Sequence, residues 1–385
     1  MTTRMGLVLT GGGARAAYQA GALRALADVL GQPPSPFQVI TGASAGAING
    51  CAVAVGAHAF PTAVSDLCAL WDSLEPGSVY RTDPMGLAEV GGLWARDIVA
   101  GGRIGSTRIN YLLDTAPLRT LLEARLDLDR LGDRFADGSL HGCAVTATNY
   151  ATGTAMTFFD GAPAIAPWQR STRLGVRERI TIDHVLASSA IPLFFPPVAL
   201  RGSHYGDGCV RMSAPLSPAI HLGADRIVAI GIRYVRTIDQ TLALNQQPHP
   251  TMPSVSDIAG VLLNALFLDA LETDLERVER INRTLELIAP ALHATQPLRP
   301  IPVLALRPSE DLGQLAAQQY EQFPHALRYL LSGIGATEDR GWDLVSYIAF
   351  EPIYIRRLIE LGYEDTIQRR DEILRFFAAD PVAAS

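Results

Sequence analysis

The sequence predicts an α/β fold with a mostly parallel central sheet and a C-terminal helical extension. Three observations carry that expectation. Apolar strand-like runs alternate with helix-like patterns from residue 5 to about residue 75, as expected of parallel strands joined by helical crossovers. Two glycine-rich turns, at residues 11–13 and 42–46, each stand between such a run and such a pattern. Beyond residue 254, apolar residues recur at every third or fourth position, the period of amphipathic helices.

The first element, Leu7-Val8-Leu9-Thr10, is a short strand that runs into Gly11-Gly12-Gly13 and then a helix through Leu30. Bare peptide N–H groups at a helix N-terminus stabilise a negative oxygen that sits against them, so this turn can form an oxyanion hole. Gly11-x-Gly13-x-x-Ala16 also fits a loose dinucleotide fingerprint, which requires an acidic residue closing the next strand to hold a ribose hydroxyl. That strand ends Val39-Ile40-Thr41-Gly42 and offers no carboxylate. Gly42-Ala43-Ser44-Ala45-Gly46 follows, then a small-residue helix from Ala47. A serine with glycine two positions away on either side suits a sharp strand-to-helix turn, where a Cβ at either flank would strike the crossing chain. Ser44 is the candidate nucleophile.

Residues 76–138 are rich in Gly and Arg, with a helix-like stretch from Leu118 to Ala124, and read as a lid or substrate wall. Strand patterns return at Gly142–Asn149, Ala155–Phe159 and Arg226–Ile232. Asp207 sits between Gly206 and Gly208, past the apolar segment Ile191–Val198, where the backbone can approach another loop closely. A desolvated aspartate within about 3 Å of a serine can take its proton directly. Asp-Gly is equally the mark of an ordinary turn. The proline-rich linker Asn245–Pro253 separates a catalytic domain over 1–240 from a helical extension over 254–385. There Ser254 reads as a helix cap with Asp257 in the first turn, and a long amphipathic helix carries Leu271, Leu275, Val278, Ile281, Leu285 and Ile288. The all-apolar turns Val261–Leu268 predict packing on the core, on a second subunit or on lipid. Residues 310–377 continue as a helical cap.

With 385 residues, 48% of them hydrophobic and 18% charged, the chain can bury a large core. It holds no run of about 20 apolar residues for a membrane span, and a strand beginning close to Met1 leaves no room for a signal peptide. The expected location is the cytoplasm, with membrane contact at most peripheral and apolar. A net charge of -7 and scattered arginines, with lysine absent, argue against nucleic acid. Cys51, Cys68, Cys143 and Cys209 show no C-x-x-C spacing and no H-x-x-H pair occurs, so neither a metal nor a cofactor is expected.

Together, the Gly-Gly-Gly-Ala-Arg run at 11–15, the elbow at 42–46 and Asp207-Gly208 resemble the bacterial patatin-like phospholipases over roughly residues 5 to 233. Ala187–Pro197 and Pro215–Ala219 resemble that family's segments around its catalytic aspartate. The resemblance implies a three-layer α/β/α fold and a serine acyl hydrolase of lipid esters, a phospholipase A or esterase acting on phospholipid or lysophospholipid. By position it implies Ser44 as nucleophile, Asp207 as general base and Gly11, Gly12 and Gly13 as the oxyanion hole, supported by Arg15, Gly42, Gly46 and Gly208. Calcium is expected to be unnecessary, because backbone amides rather than a cation would stabilise the charge. Thr10, Ala16, Cys209 and Ser213 depart from the family's common pattern, and none of these changes removes a reacting atom. Open beside it stand a triad using His221, His249, His293 or His325, acyl transfer from the same acyl-enzyme, a non-catalytic lipid-binding scaffold, and homo-oligomers joined through the C-terminal helices.

Overall fold

The computed structural model describes residues 3–31, 34–99, 110–248, 251–288, 298–322, 328, 331–333, 335–337 and 340–379. Its strands are β1 (Met5–Leu9), β2 (Val39–Ala43), β3 (Gly142–Asn149), β4 (Thr154–Gly161), β5 (Trp168–Gln169), β6 (Arg173–Arg177), β7 (Val198–Leu200), β8 (Ser203–Asp207), β9 (Arg226–Ile230) and β10 (Val303–Leu306). They form one sheet in the order β10-β9-β1-β2-β3-β4-β6-β5, with β8 pairing β3 and β7. The run from β10 through β3 is parallel, while β4 returns antiparallel to β3. Strands covered on both faces read as continuous apolar runs, and β1, β2 and β9 are buried at every position.

Side chains alternate between two helical layers, as the two-residue strand period requires. Leu7, Leu9, Ile40, Val228 and Ile230 join one core, which holds α1 (Ala17–Leu30), α2 (Ala45–Val55), α3 (Phe60–Asp72) and the last long helix, Pro352–Ile367. Val8, Val39, Ile227 and Ala229 point the other way, onto Leu216, Ala219 and Leu222 and onto Leu271 and Val278 of the helix Asp269–Glu286. The arrangement is the expected α/β/α sandwich. Gln19 and Asn49 tie the first layer to β1: Gln19 Nε2 donates to the carbonyls of Thr10 (2.8 Å) and Ile230 (3.1 Å), and Asn49 Nδ2 donates to Gln19 Oε1 (2.9 Å).

The region after residue 254 does more than cap the sheet with helices. It contributes β10, which pairs in parallel with β9 from Val303↔Ile227 to Leu306↔Ile230. This four-residue strand lies between Pro302 and Pro308, and as an edge strand it needs a ladder on only one side. Ser254 caps its helix as the sequence suggests, through a reciprocal box with Asp257. The helix Val255–Phe267 buries Ser256, Gly260, Leu263 and Phe267 and leaves Val255, Ile258, Val261 and Leu262 exposed. Among the described residues no single helix is long and apolar enough to cross a membrane.

Candidate active site

Sheet register explains why residues 163 positions apart meet. The strand β4 occupies one whole edge of β3, so β2 and β8 must share the other. There Ala43, the last residue of β2, lies opposite Thr146, and Asp207, the last residue of β8, lies opposite Ala147. One strand is parallel to β3 and the other antiparallel, so their carboxyl ends meet head to head. Ser44 follows Ala43 at this junction.

Ser44 has φ 55° and ψ −135°, a left-handed conformation unusual for a residue with a side chain, at a cost on the order of 1–3 kcal/mol. The flanking glycines are required by space. A Cβ on Gly42 would stand 2.2 Å from the Gly46 carbonyl oxygen, and one on Gly46 would stand 2.3 Å from that of Leu9. Two serines from the Ala187–Pro197 segment, neither assigned a role from the sequence, brace the turn. Ser188 Oγ accepts the Ser44 peptide N–H at 2.9 Å and donates to the Thr146 carbonyl at 2.6 Å. Ser189 Oγ shares its proton between the carbonyls of Val185 (2.9 Å) and Ser44 (3.1 Å). Ser188 is the last residue of the helix Ile182–Ser188 and Ser189 its C-cap, and only the folded chain reveals what they touch.

Asp207 is fully buried. Its Oδ1 accepts the Cys209 N–H at 2.9 Å, its N–H donates to Ala190, and its carbonyl accepts the Thr148 hydroxyl at 2.7 Å. Its Oδ2 is buried with no partner at full hydrogen-bond geometry, and the nearby Ser44 hydroxyl is the side chain that most stabilises its charged form. Burial outweighs that help and pushes the carboxyl up to about 7. Gly208 lets the strand end pass β3, since a Cβ there would lie 2.0 Å from the Thr146 carbonyl oxygen.

The three glycines of the first turn play different parts. Gly11 brings the loop against both partners: a Cβ there would fall 2.4 Å from Ser44 Cβ and 2.5 Å from Cys209 Sγ, and its N–H favours the Cys209 thiolate. Gly12 lies against Ile232. Gly13, at φ 56°, borders the same crevice as Ser44 and Ala45. Arg15 turns its guanidinium to Ser346 and Asp343 of the C-terminal region.

That crevice is walled by apolar side chains, among them Ile48, Leu70, Trp71, Leu74, Leu118, Leu122, Ile191, Phe195 and Phe350. Its free space of ≈ 40 Å³ has room for only a few waters, at about 10–15 Å³ each. Of the alternative histidines, His221 stacks on Trp168 with ring centroids 4.6 Å apart, and burial depresses it to about 4. His249, His293 and His325 lie outside the described residues. Among the described residues no group of three or more His, Cys, Asp or Glu side chains could hold a metal ion.

Fold and junction define an α/β protein built around a strained serine elbow. Residues 7–220 match the patatin-like phospholipase family, and the chain belongs to that family of lipid hydrolases. A cGAMP-activated phospholipase of Pseudomonas aeruginosa (strain BWHPSA011 / Pa011) is 30% identical over 213 residues, 54% of this chain and 53% of that protein, so the match spans about half of each. The structure is similar to that of human GIVD cytosolic phospholipase A2, with TM-score 0.45 and 13% identity over 97% of this chain and 60% of that one. It is also similar to VipD from Legionella pneumophila, with TM-score 0.37 and 14% identity over 96% and 67% of the two chains.

Proposed function

We propose that this chain is a serine acyl hydrolase that cleaves carboxylic ester bonds of phospholipids or lysophospholipids through Ser44 and Asp207. The observation that carries the proposal is the head-to-head junction of β2 and β8, which puts a strained, buried serine beside a carboxylate held near neutral proton affinity. A base with a pKa near the working pH is the most effective proton acceptor. Asp207 takes the Ser44 proton as Oγ attacks the acyl carbonyl, then returns it to the departing alcohol. Water, deprotonated by the same carboxylate, releases the fatty acid.

The oxyanion falls to the amides of Gly12, Gly13 and Ala45, of which Gly13 and Ala45 border the crevice beside Ser44. Ala45 is the residue after the nucleophile, a usual donor at such elbows. Gly11 serves differently, by its lack of a side chain and by turning its N–H to Cys209. The apolar crevice suits an acyl chain, and Leu118 and Leu122 form part of its wall. Residues 76–138 then act as the lid of a catalytic domain over 1–240, with the region from 254 as its extension. The exposed face of Val255, Ile258, Val261 and Leu262 suits shallow contact with a lipid surface. The name of the Pseudomonas relative extends the reading to activation by cGAMP.

The test is labelling by a fluorophosphonate probe, retained in the wild type and lost in Ser44→Ala, with a lipid panel run without calcium and with and without cGAMP. A wild type that neither labels nor releases fatty acid under any of these conditions overturns the proposal.

A further inference from the structure

The glycine loop is pinned from outside the family-matched residues. Arg15 is buried, and its guanidinium lies in the seam between that loop and the helix Trp342–Ile348. Its Nε donates to Ser346 Oγ at 2.8 Å, and its Nη2 donates to Asp343 Oδ1 at 3.0 Å and to the Asp343 carbonyl at 3.2 Å. The guanidinium carbon stands 4.4 Å from the centre of the Tyr347 ring. Ser346 Oγ in turn donates to the Asp343 carbonyl at 2.7 Å, so the acceptors that Arg15 reads are themselves held in place. Two residues back along the loop, the Tyr347 carbonyl packs so closely on Gly13 that a Cβ there would lie 2.0 Å from its oxygen. The same short helix therefore grips the loop at Gly13 and at Arg15, and Gly13 borders the crevice beside Ser44.

We propose that Arg15, Asp343 and Ser346 are positioning residues through which the C-terminal helix Trp342–Ile348 sets the placement of the Gly12 and Gly13 amides relative to Ser44. A planar guanidinium fork fixes direction as well as distance, which an ammonium would not. Gly13 and Arg15 belong to one 3-10 turn, Gly13–Ala16, so a shift of the helix is delivered to the loop with little slack. Displacing a catalytic group by about 1 Å can cost on the order of 100-fold in rate. The kinetic part of the inference rests on the hydrolase reading above; the structural part does not.

The experiment compares Ser346→Ala and Asp343→Asn with wild-type full chain by ester hydrolysis and by amide hydrogen exchange. The expected result is a fall in kcat of about ten-fold or more with KM nearly constant, the pattern of a loss confined to the transition state. Exchange over residues 10–18 should quicken by a similar factor while β3 keeps its protection. Ser346→Thr, which retains the hydroxyl, should restore both. In an Arg15→Met background, Ser346→Ala should have no further effect; if Arg15→Met does not fold, the Asp343→Asn/Ser346→Ala double variant should fall short of additivity. Unchanged exchange at 10–18 overturns the proposal, as does a loss of kcat matched by loss of protection throughout the molecule. A wild type without hydrolase activity would sink the functional reading alone, since the exchange measurements still decide the clamp.

Discussion

Gly46 and Gly362 solve the same steric problem in two regions that the sequence reveals very differently. Gly46 lets α2 begin against β1, where a Cβ would stand 2.3 Å from the Leu9 carbonyl oxygen. Gly362 lets the helix Pro352–Ile367 press onto α1, where a Cβ would stand 2.0 Å from the Tyr18 carbonyl oxygen, and Gly21 of α1 faces Ile359 in the same way. The first glycine belongs to a local pattern with a serine at its centre and can be read from five residues. The second has its partner 344 positions away, and nothing nearby announces it. Close backbone approach is thus legible only when both sides of the contact are near in sequence or when a reacting group marks the turn.

Several experiments would break or sharpen this contrast. The largest expected effect is at the junction itself: Ser44→Ala or Asp207→Asn should lower kcat by about 10⁴-fold or more, measured by fatty-acid release, with folding unchanged by circular dichroism. Next come the two glycines. Gly46→Ala and Gly362→Ala should each destabilise the chain by about 3 kcal/mol in denaturant titrations, through overpacking against backbone. Per folded molecule, Gly362→Ala should keep its activity and Gly46→Ala should lose it, because only the first-region glycine shapes the Ser44 turn. If both behaved alike, the contrast would fail.

A smaller effect concerns pH. In the proposed mechanism Asp207 must be ionised to accept the Ser44 proton, and burial pushes it up to about 7, so kcat/KM should fall about ten-fold per pH unit below 7 and level off above it. Stability runs the other way. Between the ordinary carboxylate range and pH 7 the folded chain holds a proton that the unfolded chain has released, so this group's contribution is present at low pH and lost as pH rises through 7. Asp207→Asn should flatten that part of the thermal-stability profile. The smallest effect is expected for Ser188→Ala, which leaves the Ser44 N–H without its acceptor and should cost about 1–2 kcal/mol in activation free energy, read as a fall in kcat of about ten-fold.

Much of the site is legible in the amino-acid sequence. Gly42, Ser44, Gly46, Gly11–Gly13 and Asp207-Gly208 mark themselves by glycine placement, and the structure brings them to one junction. Their detailed parts are not legible there: Gly11 faces a thiol, Arg15 serves the C-terminal helix, and Ser188 and Ser189 hold the peptide groups of Ser44. In the fold, the parallel core follows from the alternation of apolar runs and helical patterns. The strand β10 does not, because four residues between prolines carry too little periodicity to separate a strand from a loop.

The amino-acid sequence alone determined the parallel α/β core and the serine elbow, which show in periodicity and in glycine spacing over a few residues, while the three layers were what the family resemblance implied. Only the tertiary structure decided that β2 and β8 end nose to nose on one edge of β3, that Asp207 is desolvated enough to titrate near 7, and that a helix beyond residue 340 grips the glycine loop. The reason is physical. Register, burial and long-range hydrogen bonds are properties of pairs of segments, and no single segment contains them.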